Sequence, residues 1–290
     1  MNNPNNIIIN KDEFRRKVEK LTTLPMLPHL MMKFTQMAKD PHTSMSAFSE
    51  EVSKDHTLTS KLLRLVNSAF YGFPGRISTV TQALVLLGID ALKGLIVTSN
   101  VFDGLTPEAY PLWRHSLLVS LTARQICLIH SIPDVEECAV AGLLHDIGKV
   151  ILFLETPNEY RLVIQKAKEE NVPIFKMERE IMGFDHAEIG EWICKKWTLP
   201  AKLAYPIGFH HNPVLAQEYK TRTNVVALAN AIVKGIGASA EEGISLENLP
   251  ECVENDIKLN SEQLNKIIEK VEPEIENLKN IGPSDLDEKF

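Results

Sequence analysis

"TLTSKLLRLVNSAF", Thr57 to Phe70, places Leu58, Leu62, Leu65 and Ala69 at i, i+4, i+7 and i+11. An α-helix turns every 3.6 residues, so this spacing winds all four onto one face. A strand would need strict alternation, and alternating patterns along the chain are short. The helical period recurs in "STVTQALVLLG", where Val80, Leu84 and Leu87 share a face and Gly88 stands where a left-handed C-terminal cap belongs. Asp90 is then placed to cap a following helix that carries Leu92, Leu95 and Ile96. The best strand candidate, "NNIIIN", is read as a frayed end. The chain is read as all-α.

Proline and polar punctuation divides it. Residues 1–23 form an N-terminal arm with one amphipathic helix in "KDEFRRKVEKL". A first helical half, 24–111, opens with "TLPMLPHL" and closes at "FDGLTPEAYP", where Pro107 and Pro111 break the pattern. A second helical half, 112–237, packs against it. Residues 238–290 are a helical extension: loop and short helix, then "NSEQLNKIIEKVEPEIENLKN" with Pro273 placed to kink it, then a polar tail.

The 290 residues are 44% hydrophobic and 24% charged, an ordinary globular balance with enough chain for a large core. The net charge of −7 disfavours a protein that grips nucleic-acid backbone over a broad surface, so nucleic acid is not expected as a partner. Cys127, Cys138, Cys194 and Cys252 are scattered, which fits reduced thiols better than a disulfide framework or a thiolate zinc site. The most apolar stretch is interrupted by Gly88, Asp90 and Lys93, and the N-terminus has no secretory pattern. No membrane association and a cytoplasmic location are therefore expected.

Chemistry concentrates in the second half. "AVAGLLHDIGKVIL", Ala139 to Leu152, sets His145, Asp146 and Lys149 into an apolar run. Buried charges cost several kcal/mol (~3–5 when left unpaired) unless paired, hydrogen-bonded or metal-bound. His115 shares a face with Val119, Thr122 and Ile126 and points inward. Asp134 and Glu137 read as a capping box for the helix leading to His145. Asp185 reads as an N-cap with Glu188 reaching back, which leaves His186 in the first helical turn. His210 and His211 stand where a helix runs out, and Asn230 lies four residues after Val226 on an apolar face. Imidazole with carboxylate suits iron, zinc, manganese, cobalt or nickel. An aspartate can bridge two such ions, and a pair about 3.5–4 Å apart can activate a hydroxide for attack on phosphorus. Lys149, one turn beyond His145, is placed to face charge developing on a phosphoryl oxygen. Each residue also has a plainer reading: a satisfied buried pair for His145 and Asp146, helix-end decoration for His186, His210 and His211, a core histidine for His115, a buried polar residue for Asn230. For Lys149 the plainer reading is a cation favoured by a helix C-terminus. Trp113, Trp192 and Trp197 are read as core or interface anchors, and His29, His42, His56 and His130 as surface or turn residues.

The order H…HD…H…HH resembles the ligand order of the HD superfamily of metal-dependent phosphohydrolases. More specifically, the chain resembles the HDOD domain, the HD-related output domain of bacterial signalling proteins. The resemblance is carried from about Leu24 to Gly237 by "LPMLPHLMMKF", "KDHTLTSKLLRLVNSAFYG", "ISTVTQALVLLGIDALKGL", "GLLHDIGK", "DHAEIGEWICKKWTLP" and "FHHNP". It implies two packed helical halves, the second an HD-type bundle that binds one or two divalent transition metal ions. A first position would use His115, His145, Asp146 and Asn230, and a second Asp146, His186, His210 and His211. Lys149 and Asp146 would be the catalytic candidates. The HD pattern ends in aspartate where this chain has Asn230, whose neutral carbonyl is a poorer ligand. The chain also lacks the G-Y-P motif of the cyclic dinucleotide phosphodiesterases after "HH", so their substrate is not implied. The resemblance implies a regulatory output protein with a protein partner in a signalling pathway, or a phosphohydrolase acting on a nucleotide or phosphodiester.

Overall fold

The structure is a computed structural model and describes residues 9–20, 33, 36–37, 44–67, 77–101, 110–237 and 249–279. Helices α1 (Lys11–Glu19), α2 (Met45–Ser53), α3 (His56–Asn67) and α4 (Val80–Val101) come first. They are followed by α5 (Tyr110–His130), α6 (Val135–Leu144), α7 (Ile147–Glu155), α8 (Pro157–Glu170), α9 (Ile174–Met182) and α10 (His186–Lys196). Then come α11 (Ala201–Phe209), a 3₁₀ turn (Pro213–Leu215), α12 (Lys220–Gly235), α13 (Glu251–Asp256) and α14 (Ser261–Lys279). There is no strand among the described residues, and the fold is all-α as read. "NNIIIN" before Ile9, "TLPMLPHL", most of "FDGLTPEAYP", His29, His42 and the polar tail lie outside the described residues.

The apolar faces pack as their spacing requires. Leu58, Leu62 and Val66 of α3 meet Ala83, Leu84 and Leu87 of α4 in one core. Burying each leucine stabilises the fold by roughly 1.5–3 kcal/mol. Gly88 has φ 78 and ψ 167, a backbone conformation open to glycine, and divides α4 into two helical runs. Val80–Thr98 is long and apolar enough to cross a membrane by length and composition, yet most of it is buried inside the protein. A reciprocal box starts α4: Thr79 Oγ1 accepts from Gln82 N at 3.2 Å, and Gln82 Oε1 from Thr79 N at 3.3 Å. Asn67, the last residue of α3, uses its amide as a clamp. Its Oδ1 accepts from Ile77 N at 2.9 Å while its Nδ2 donates to Ile77 O at 2.6 Å. That pins Ile77 to the end of α3 and fixes where α4 begins.

The second part of the chain builds around α5 and α6. Gly142 lets them approach closely, since a Cβ there would lie 3.1 Å from Val119 O. Trp113, Trp192 and Trp197 are all buried anchors, as read. His56 is exposed and His130 half-buried. The helix α14 runs through Pro273 without interruption.

Three capping expectations are corrected. Asp134 makes no side-chain cap, because its carboxylate pairs with Arg222 of α12, and Glu137 accepts from Lys202 Nζ at 2.8 Å. Long-range cations outcompete the local box. Asp185 does cap α10, accepting from Glu188 N at 2.9 Å, but Glu188 turns away to Lys11 Nζ at 2.6 Å. Likewise Asp90 directs its carboxylate to Lys202 Nζ at 2.9 Å.

Candidate metal centre

The apolar run around His145 is not one helix. It ends at Leu144 and restarts at Ile147, with Asp146 in the gap at φ −97 and ψ 14. Aspartate at such a position ordinarily caps the following helix through its side chain. Asp146 makes no such bond, so both oxygens turn inward. Gly148 then allows α7 to lie directly on the start of α10, where a Cβ would fall 1.9 Å from His186 O. The helix break aims the carboxylate, and the glycine brings His186 to it.

Imidazoles from four separate elements surround that carboxylate. Asp146 Oδ1 lies 3.1 Å from His186 Nε2 and 3.8 Å from His210 Nε2. Asp146 Oδ2 lies 3.3 Å from His145 Nε2, 3.7 Å from His115 Nε2 and 3.1 Å from Lys149 Nζ. His211 Nε2 stands 2.8 Å from His186 Nε2, and its ring stacks on Phe175 at 4.2 Å between centroids. Asn230 Oδ1 lies 3.1 Å from His115 Nε2. Two sets each keep their ligand atoms within 4.8 Å of one another: Asp146, His186, His210 and His211, and His115, His145 and Asp146. Every predicted site residue is therefore in the cluster. Lys149 occupies the first turn of α7 and is 7% exposed, so the helix C-terminus reading of this cation fails.

Three of the rings are held by their outer nitrogen. His145 Nδ1 donates to Gly142 O at 2.7 Å, His210 Nδ1 to Ile207 O at 2.9 Å, and His186 Nδ1 to the Glu178 carboxylate at 2.6 Å. A neutral imidazole has one proton, so these bonds place it outside and leave the Nε2 lone pair facing in. Inside, His145 Nε2, His210 Nε2 and both Asp146 oxygens are buried without a well-aligned hydrogen bond. Buried polar atoms in that condition are costly, about 1–3 kcal/mol each, unless something else satisfies them. Lone pairs converging from imidazole and carboxylate are the donor set of a divalent transition metal. The residues fit such an ion.

Electrostatics agree with that donor set. Burial pushes His115 down to about 3, despite the opposing pull of Asp146. Burial, with neighbouring imidazoles, also holds His210 and His211 well below the usual histidine range. For His186 burial acts downward too, but the carboxylates of Glu178 and Asp146 outweigh it and raise it to about 9. Asp146 would be raised by burial, yet His145, Lys149 and His186 together hold it well below the usual carboxylate range. The cage holds one firmly ionised carboxylate; His115, His210 and His211 are pushed toward the neutral form, while His186 is drawn the other way by its two carboxylates.

Glu178 escaped the sequence reading. It is fully buried and touches three groups: His186 Nδ1, His186 N at 2.9 Å, and Tyr160 OH at 3.0 Å. Its signal was available, because it shares a helix face with Ile174, Met177 and Met182, where an acid is out of place. Glu178→Gln should weaken metal binding roughly 10–100-fold, the usual loss when such an outer partner is removed. Isothermal titration with Zn²⁺ or Mn²⁺, against an unchanged circular dichroism spectrum, checks this; unchanged affinity would make Glu178 a purely structural acid.

Comparisons with known proteins bear on the family and the fold. The sequence model of the HDOD domain matches residues 24–213, ending before Asn230. An uncharacterized protein of Treponema pallidum is 25% identical over 252 residues, 84% of this chain. The chain spans about half, 48%, of that relative's length. The crystal structure of an HDOD domain protein of unknown function from Geobacter sulfurreducens superposes with a TM-score of 0.68 at 23% identity, covering 97% of this chain and 99% of that one. A candidate signal transduction protein from Marinobacter aquaeolei gives 0.70 at 18% identity, covering 95% of this chain and 62% of that one. A candidate phosphohydrolase from Shewanella amazonensis gives 0.61 at 23% identity, covering 91% of each. At these identities the solved structures speak for the fold.

Proposed function

This chain belongs to the HDOD domain family, and from that premise we propose that it is a bacterial signal-transduction output protein with a working metal site. The observation that carries the proposal is the inward convergence of the Asp146 carboxylate, whose oxygens lack a well-aligned hydrogen bond, and imidazole Nε2 atoms in a buried cage. His115, His145, Asp146, His186, His210 and His211 are its candidate ligands, with Asn230 beside them. In this reading, residues 24–237 form the HDOD domain, 24–111 and 112–237 are its halves, and 1–23 and 238–290 flank it. The domain works in the cytoplasm on a protein partner, away from membranes and nucleic acid. A divalent ion of iron, manganese, zinc, cobalt or nickel would supply Lewis acidity at the cage.

A second reading, a metal-dependent phosphohydrolase of nucleotides or phosphodiesters, is favoured by Lys149. Its ammonium is buried 3.1 Å from Asp146 Oδ2, a cation placed where a phosphoryl oxygen would need one. Lys149 would orient the anion, and Asp146 would keep that ammonium in place. Both readings meet one test: protein purified without chelator and supplied with Fe²⁺, Mn²⁺ or Zn²⁺ should retain transition metal after desalting, measured by plasma mass spectrometry. Turnover of bis(p-nitrophenyl) phosphate by the same preparation selects the hydrolase, and its absence selects the regulatory module. Metal-free protein under every supply condition would remove both.

A further inference from the structure

The histidines of the cage are not equivalent. His145, His186 and His210 each donate Nδ1–H outward to a carbonyl or carboxylate. His115 Nδ1 is buried with no hydrogen-bond partner at all. A proton left on that nitrogen would be a buried, unsatisfied donor, which costs about 1–3 kcal/mol. On the other nitrogen it has an acceptor, because Asn230 Oδ1 lies 3.1 Å from His115 Nε2. The ring therefore settles with its proton on Nε2 and its free lone pair on Nδ1, the reverse of His145, His186 and His210. The nitrogen nearest Asp146, at 3.7 Å from Oδ2, is the protonated one.

We infer that this chain binds one ion and not two, at Asp146, His186, His210 and His211, because the Asn230 side chain captures His115 as an Nε2–H donor and withdraws it from coordination. The inference rests on the metal-binding reading above and refines it. Two features of the retained set support it. Asp146 Oδ1, 3.1 Å from His186 Nε2, points to that set, and the other oxygen is already engaged by Lys149 Nζ at 3.1 Å. A second cation against Oδ2 would have to displace or crowd that ammonium. Asn230 itself contributes a neutral oxygen where a carboxylate would add the charge that compensates a second dication. Asn230 thus acts as a selector of how many ions the cage accepts.

The test has two readouts that do not involve catalysis. The first is metal stoichiometry of the full chain after saturation with Mn²⁺ or Zn²⁺ and desalting. The expected results are one ion for the wild type, one for His115→Ala, none for His186→Ala and two for Asn230→Asp. The second is the imidazole ¹⁵N spectrum of the metal-free protein, in which His115 should be the Nε2–H tautomer while His145 and His210 are Nδ1–H. Two ions in the wild type, loss of the ion in His115→Ala, or an Nδ1–H tautomer at His115 would each overturn the inference and leave metal binding intact. A wild type that takes up no ion overturns the metal-binding reading itself. Should Asn230→Asp misfold, the tautomer spectrum and the His115→Ala stoichiometry decide alone.

Discussion

Gly148→Ala should lose both metal uptake and a large part of the fold's stability. The added methyl would lie 1.9 Å from His186 O and 2.7 Å from its carbonyl carbon, where carbon contacts settle at about 3.5–4.0 Å. Both sides are backbone, α7 on one and the first turn of α10 on the other, so neither can step aside by changing rotamer. Overpacking of this kind costs about 3 kcal/mol or more when backbone must shift. For a domain of this size that is a fall in Tm of roughly 6–12 °C. The shift also separates Asp146 Oδ1 from His186 Nε2, now 3.1 Å apart, so the cage opens between its carboxylate and that ring. Gly235→Ala is the control: nothing lies within 4 Å of its Cβ position, and alanine there should leave both readouts unchanged. Differential scanning calorimetry and metal analysis on the pair suffice, and a Gly148→Ala chain with wild-type Tm and metal content would refute the packing argument.

Asp146→Ala should abolish metal uptake and, with it, the stabilisation that metal provides. No other carboxylate of the cage faces its interior, since Glu178 is turned to the outer nitrogen of His186. Removing Asp146 also takes the carboxylate 3.1 Å from Lys149 Nζ away from a nearly buried ammonium. Breaking one side of a buried pair costs about 3–5 kcal/mol, so the metal-free variant should already melt below the metal-free wild type. An ion present at a hundredfold its Kd adds about 2.7 kcal/mol to the folded state. The wild type should therefore show a metal-dependent rise in Tm that Asp146→Ala lacks. A variant that still gains stability from Zn²⁺ would place the ion elsewhere.

The fold was legible because its evidence is local. Leu58, Leu62 and Leu65 repeat at the helical period, and Gly88 marks a break that the backbone makes with positive φ. The cage was legible by residue type and order, through the resemblance more than through spacing. What sequence could not show is which local pattern loses to a distant partner. Asp134 and Glu137 form a sound capping box on paper, but Arg222 and Lys202 arrive from α12 and α11 and take both carboxylates. Lys149 reads as one more residue of a continuous helix, until the chain breaks at Asp146 and puts it at the start of the next one. Glu178 was overlooked because the charged face of a short amphipathic helix hides one acid on the wrong side. Asn230 reads in sequence as a poor ligand with a neutral carbonyl, while its hold on His115 depends on a meeting between α5 and α12 that no window of sequence contains.

Helix α1 lies ahead of the residues the family shares, yet it is stitched to the helix that carries His186. Phe14 stacks on Phe184 at 5.0 Å, Lys11 reaches Glu188, and Lys196 Nζ donates to Val18 O at 3.0 Å. Phe184 is only two residues from the imidazole. A fragment cut at the family boundary would bare that aromatic ring and slacken the strap over the first turn of α10. The leading segment thus braces the first turn of the helix that presents His186.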